Sequence, residues 1–271
     1  MSDEALIRIG SFFGVLFVMG VAESFFPRRI LDAPKAKRWT ANLMVSISST
    51  LLARLLFPIL PVGVAAYCAA NSIGLLNLLS FPFWLETLIA ILLLDMLIYW
   101  QHVIFHKNRM LWRLHRMHHA DVDIDASTGV RFHPIEILAS LAVKMAAILL
   151  LGPSVAAVVA FEVTLNGCAL FNHANVRIPQ FIDKPLRLLV VTPDMHRVHH
   201  STDMREANMN FGFSFPWWDR IFGSYKAQPD LGHKDMHIGL NIFRDKKYLG
   251  FFRMLTIPFV TKGAATTSSR Q

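Results

Sequence analysis

The chain has 271 residues, 54% of them hydrophobic and 17% charged, and its mean hydropathy is +0.40. Soluble domains carry roughly a quarter charged residues, so this balance speaks against an ordinary soluble protein and for one built into a bilayer. Cys68 and Cys168, the only cysteines, both sit in apolar runs, which excludes a disulfide-built secreted scaffold.

The expected elements follow from where charges are missing. Residues 9–22 carry none, and with Arg8 and Glu23 snorkelling outward a first span of about residues 5–26 is expected, stopped by Pro27. The leading Asp3 and Glu4 are acidic and no small-residue cleavage site follows, so this segment reads as a retained span and not as a cleaved signal. A second helix is expected at about residues 39–57, ended by Pro58 and Pro61. Residues 59–80 are apolar but broken by Gly63, Asn71, Gly74 and Asn77, and read as a re-entrant or interfacial linker. A third helix is expected at about 82–106, and residues 135–151 and 154–172, hinged at Gly152-Pro153, make a helical hairpin. The fold class is therefore all-α: a multi-pass membrane bundle of about four transmembrane helices with a histidine-rich helical cap. Five basic residues lie between the first two helices, five between Lys107 and Arg131 and fourteen from Arg177 onward, so 24 of the 27 fall on one side. The positive-inside rule makes that side, and the cap with it, cytosolic. This topology accounts for the formal charge of +8, and no RNA- or DNA-binding motif accompanies it, so nucleic acid is not an expected partner.

Ten of the twelve histidines fall between His102 and His200. His102 and His106 are i and i+4, one turn apart on one helical face; His115, His118 and His119 are i, i+3 and i+4, and His196, His199 and His200 repeat that pattern. His133 stands at the mouth of the hairpin and His173 at its return, where both meet these clusters. Ten imidazoles are too many for one tetrahedral zinc and suit two ions with about five each. The spacing does not name the metal, since imidazole also suits zinc, copper and nickel. His233 and His237, in the tail, read as hydrogen-bonded or surface residues.

The order H-x3-H at His102, H-x2-H-H at His115 and H-x2-H-H at His196 resembles the fatty acid hydroxylase superfamily, which includes sterol desaturases. The likeness runs from about Trp84 to Tyr225 and takes in RFHPIE at Arg131–Glu136, NHANVRIP at Asn172–Pro179 and the segment from Asn210 to Tyr225; Phe211 stands where the family commonly has tyrosine. The resemblance implies a non-haem centre of two irons that uses O2 against an unactivated C–H bond of a lipid. It implies hydroxylation, with desaturation as the alternative outcome at the same site, because the two differ only in substrate placement. From another class, a metal-ion transporter or metal-sensing membrane protein stays open, although transporters place ions near the bilayer midplane and these histidines lie at helix ends. The domain reading is 1–82 for the N-terminal helices and linker, 83–225 for the catalytic part and 226–271 for an interfacial segment with a disordered tail from Gly263.

Asp95, Tyr99, His102 and His106 share a helical face, so Asp95 is expected either to accept from a ligand imidazole or to brace Tyr99 and a neighbouring helix. Asp194 and Asn172 are further supporting candidates, while Lys144 and Glu162, on the two hairpin arms, are expected to pair or snorkel. The alternating Phe211, Phe213, Phe215, Trp217 and Trp218 read as packing of the cap on the bilayer ahead of a substrate lip. Residues 240–259, with Arg244, Lys246, Lys247 and Arg253 among apolar residues, read as an interfacial amphipathic segment on anionic headgroups. No cysteine cluster, haem-binding segment or G-x-G-x-x-G loop occurs, so the electrons are expected from a separate protein of cytochrome b5, ferredoxin or reductase type. The C-terminus shows no retention signal, and a bacterial inner membrane is expected over the endoplasmic reticulum.

Overall fold

The fold comes from a computed structural model that describes residues 3–261, so the tail from Gly263 lies outside the described residues. Among these residues the secondary structure is helical, with two isolated bridges, Pro27 to Val176 and Ser201 to Ile238. The long helices are α1 (Asp3–Phe25), α2 (Lys35–Leu56), α3 (Pro61–Asn71), α4 (Phe83–Lys107), α5 (Arg109–His119), α6 (Pro134–Leu151) and α7 (Val155–Asn172). Short ones follow: α8 (Gln180–Leu186), α9 (Pro193–His199), α10 (Met204–Ala207), α11 (Trp217–Ile221), α12 (Gly232–Asp235) and α13 (Phe251–Thr256). Five stretches are long and apolar enough to cross a membrane: Asp3–Phe25, Lys35–Leu78, Phe83–Lys107, Pro134–Leu151 and Val155–Asn172. The chain is thus a multi-pass membrane helical bundle, with the hairpin arms α6 and α7 each counting as a pass.

α7 is the central helix, packed against α1, α3 and α4. Its Val158, Phe161 and Ala169 join Leu94 and Ile98 of α4, Ile148 of α6, Ala65 of α3 and Phe213 in one apolar core. Lys144 of α6 meets Glu162 of α7 at 3.2 Å and Arg8 of α1 meets the same carboxylate at 2.8 Å, so one buried carboxylate ties three helices together.

The stretch 59–80 is more ordered than a linker. Pro61 starts α3, and a turn at Leu75–Leu78 clasps the tip of the hairpin. Gly152 ends α6 at φ +62°, and Asn77 Nδ2 donates to its carbonyl at 2.9 Å. Gly74, at φ +99°, presents bare backbone to Gly152; a Cβ on Gly152 would stand 2.2 Å from the Ile73 carbonyl. Glu86 closes the tip from the other side by accepting from Ser154 N and Oγ, both at 2.9 Å. The breaks at Gly74 and Asn77 are therefore the clasp itself.

At the opposite end, about 27 Å away along the 18 residues of α6, a buried polar network joins the helices. Arg38 of α2 is fully buried and forks onto Asp121 with two 2.8 Å bonds, and it also pairs with Asp125 and reaches Thr128 Oγ1 at 3.1 Å. Burial alone would raise the Asp121 carboxyl, but Arg38 and Arg131 hold it down at about 2. Arg131 in turn donates to the Met117 carbonyl at 2.9 Å and to Asn42 Oδ1 at 3.1 Å. Glu23, at the end of α1, accepts from Ala126 N at 2.6 Å and Asn175 N at 2.9 Å. The loop after α5 is thereby strapped to α1, α2 and α7. The segment 240–259 covers the same end. Arg116 of α5 donates to the Ile257 and Val260 carbonyls at 2.6 and 2.7 Å, and Met254 and Ile257 pack against Met117.

Gly152→Ala should cost about 1–3 kcal/mol through its left-handed backbone and the clash with Ile73. A lowered Tm in detergent, with metal content per folded chain unchanged because the tip is remote from the histidines, is the expected result.

Candidate metal centre

Asn108 explains how α4 and α5 bring their histidines together. Its side chain caps α5 by accepting from Met110 N at 2.9 Å and Leu111 N at 3.2 Å, so the chain reverses immediately after His106. His173 caps the C-terminus of α7, and α9, started by Pro193, carries His196 and His199 and ends at His200. Nine histidines meet in two groups, His102, His106, His115, His119 and His199 in one and His118, His173, His196 and His200 in the other. Within each group the ligand atoms lie within 4.8 Å of one another, and every ring is buried. The division follows helical geometry. Positions i and i+4 share a face, so 102 with 106, 115 with 119 and 196 with 200 each serve one group, while the adjacent His118 and His199 point across to the other.

His133 is the one of the ten expected ligands that joins neither group. Its Nδ1 instead accepts from Ile135 N at 3.2 Å, capping α6, and its ring lies 5.9 Å from Phe259. The N-terminus it caps delivers a residue that the sequence pattern left without a role, Glu136, whose carboxylate accepts from His115 Nδ1 at 2.6 Å.

Five imidazoles are oriented through Nδ1. His102 donates to Phe211 O at 2.7 Å, His115 to Glu136, His173 to Ala169 O at 2.7 Å, His199 to Met209 O at 2.8 Å and His106 to Asn208 Oδ1 at 3.3 Å. A neutral imidazole has one N–H, so an Nδ1 that donates leaves Nε2 as a bare lone pair. That tautomer is assigned from the acceptors around each ring. Burial keeps these rings neutral: the His115 and His173 imidazolium is pushed down to about 3, and those of His118, His119, His196, His199 and His200 well below the ordinary value. His102 and His115 then turn two lone pairs toward each other with Nε2 atoms 3.0 Å apart. In this tautomer a cation between them makes the arrangement favourable. The donor set therefore fits a pair of metal ions held by nitrogen, with five and four protein ligands.

The supporting residues fall differently from expectation. Asp95 accepts from Trp218 Nε1 at 2.8 Å and touches no imidazole, so it anchors the 210–218 segment. Tyr99 shares a 2.8 Å bond with Ser224 Oγ, which donates to Asp219 at 2.7 Å. Asp219, whose carboxyl burial pushes up to about 6, accepts from Phe211 N and Gly212 N at 2.8 and 2.9 Å, and Phe211 O receives His102. Tyr99 thus acts on His102 through Ser224 and Asp219. Asn172 holds the Phe213 carbonyl at 2.8 Å, while Asp194 binds Arg28 at 3.0 Å and pairs with Arg197. His233 is buried, 3.6 Å from Asp194. Phe211 and Phe213 turn inward instead of onto the bilayer. The Phe213 ring lies 5.1 Å from that of His102 and 5.9 Å from that of His196, and Phe132 stacks on His118 at 4.4 Å. Together Phe132 and Phe213 face the centre toward the apolar core of the bundle.

Fold and site define a class: a multi-pass membrane protein with two adjoining groups of buried histidines, able to hold metal, at one end of its helices. The family model described as Fatty acid hydroxylase matches residues 87–224, just over half of the chain, and the chain belongs to that family. It is 27% identical over 184 residues to ornithine lipid hydroxylase OlsE of Rhizobium tropici, covering 68% of this chain and 53% of that protein. Human alkylglycerol monooxygenase is 31% identical over 144 residues, 51% of this chain and 30% of that one. Methylsterol monooxygenase 2-2 of Arabidopsis thaliana is 27% identical over 237 residues, 83% of this chain and 88% of that one. The chain therefore spans about half or less of the first two relatives. No solved structure matches it.

Glu136→Leu removes the acceptor that fixes His115 and should weaken metal binding about 10- to 100-fold, whereas His133→Ala should keep its metal; metal analysis after graded chelation checks both. An unfolded histidine takes up a proton near 6.5, while folded His115 and His173 do so only near 3. The unfolded chain binds more protons between these values, so the stability these groups contribute is fully present above about pH 6.5 and falls as pH drops toward 3. Melting of the metal-stripped protein across that window should follow this curve, with metal retention lost over the same range.

Proposed function

We propose that the chain is a non-haem di-iron monooxygenase that hydroxylates a C–H bond of a membrane lipid. The observation that carries this reading is the pairing of nine neutral imidazoles, in two groups, with an apolar approach from the bundle core. Two irons bound there would supply the redox chemistry that no side chain provides. The overall reaction takes one C–H bond, O2, two electrons and two protons to C–OH and water. The histidines would hold the metal, with His102, His106, His115, His173 and His199 fixed in the ligating tautomer by their Nδ1 partners. Phe132 and Phe213 would exclude water on the substrate side, where Leu94, Ile98, Val158 and Phe161 form the packed apolar core against which a lipid chain would lie.

The names of the relatives point to an ornithine lipid, an alkylglycerol and a methylsterol as their substrates, all of them lipids of the bilayer. The basic end of the bundle, which carries the centre, is read as cytosolic, where a cytochrome b5, ferredoxin or reductase can deliver electrons. A transporter would need its ions near the midplane, and the centre lies at one end of the helices.

Protein loaded with iron-57 should give the Mössbauer spectrum of a coupled pair, and membranes from expressing cells should contain a lipid about 16 Da heavier than its precursor. A product about 2 Da lighter would make the enzyme a desaturase. His199→Ala should abolish either product, and product formation unchanged by it would overturn the reading.

A further inference from the structure

The nine imidazoles are not equally shielded. His106 is 8% exposed and the other eight are at most 4% exposed. Its Nδ1 is bonded to Asn208, an exposed residue, whereas the Nδ1 partners of His102, His115 and His173 are buried. From Asn208 the contacts run inward through His106 to His119, whose Nε2 atoms are 3.1 Å apart. Trp112 packs beside both rings at 4.7 and 5.3 Å. At this edge the ligand shell comes nearest to water.

The surface around it is cationic. Lys107 directly follows His106, Arg109 opens α5, and Arg205 lies on α10 three residues before Asn208, all of them exposed. Asp203 pairs with Arg205, and Asp230 and Glu206, both paired with Lys226, also act on it, so Lys107 and Arg109 carry most of the uncompensated charge. Met110 and Met204 add exposed apolar surface, at 69% and 41%. A small apolar patch among cations suits a weak, charge-steered encounter and not a permanent complex. The two cysteines of the chain lie in its membrane helices and offer no redox relay of their own.

We infer that this face, Lys107, Arg109 and Arg205 around Asn208, is the docking surface for an acidic one-electron carrier protein, and that electrons enter the centre through His106. The inference rests on the monooxygenase reading. In each encounter the reduced carrier gives up one electron and is oxidised, and the metal pair gains it. Two encounters supply the two electrons that, with two protons and O2, yield C–OH and water.

The test is stopped-flow reduction of the iron-loaded protein in detergent by a reduced plant-type ferredoxin, an acidic one-electron probe. The rate should fall with rising salt and drop about tenfold or more in Lys107→Glu/Arg109→Glu/Arg205→Glu, while dithionite reduces both proteins equally. Lys246→Glu/Lys247→Glu, equally exposed but on the C-terminal segment, should keep the wild-type rate. Should the triple variant fail to load iron, Arg205→Glu alone, at a side chain 85% exposed, should still slow the ferredoxin step several-fold. Ferredoxin rates indifferent to salt and to charge reversal, or no ferredoxin reduction of a wild-type centre that dithionite does reduce, would overturn the docking surface. A centre that dithionite cannot reduce would instead overturn the monooxygenase reading, and the docking inference with it.

Discussion

Lone pairs that face one another in a dry interior repel unless a cation lies between them, and the architecture serves that constraint. Burial does two things at once here. It keeps the imidazoles neutral, so that nitrogen is free to ligate, and it removes the water that would otherwise satisfy them. A bundle that placed these rings at a wet surface would leave them half protonated near neutral pH and weak as ligands. The apolar helices thus do more than cross the bilayer: their packed ends form the low-dielectric wall against which the histidines are held.

Fixing nine rings takes rigidity in the segments between the helices. The Arg38 network supplies it on one side and the chain from Tyr99 through Ser224 and Asp219 to Phe211 on the other. Buried ion pairs of this kind contribute little net stability, because the cost of stripping water from each charge offsets the attraction. What they contribute is uniqueness of geometry. Asp121 and Asp125 have one arrangement that satisfies Arg38, and that arrangement sets where the chain leaves α5 and turns toward the hairpin.

The spans and the histidine clusters were legible in the sequence because charge-free runs and four-residue spacing are local properties. The α6–α7 hairpin hinged at Gly152 and the pairing of Lys144 with Glu162 follow from the same kind of local reading. What was not legible depends on contacts far apart in the chain. The clasp of Gly74 and Asn77 on Gly152 reads locally as broken helix, because its partner lies some seventy-five residues away. His133 has the neighbours of a ligand in the sequence, yet its position at a helix start commits Nδ1 to a backbone amide. Glu136, three residues on, looks like an ordinary first-turn carboxylate until His115 is brought against it. Asp95 faces the same way as His102 along α4, but Trp218 reaches it first.

The split of each histidine triple between the two groups has a mechanical consequence. His118 and His119 are adjacent on α5, and His199 and His200 are adjacent around the end of α9, yet each neighbour serves a different ion position. The spacing of the two positions is therefore written into the covalent backbone and the roughly 100° step between neighbouring helical residues. Any roll of either helix about its axis advances one ligand as it withdraws the other. Insertion or deletion of a single residue within α5 would scramble both positions together, so the frame of this helix admits changes of side chain but none of length.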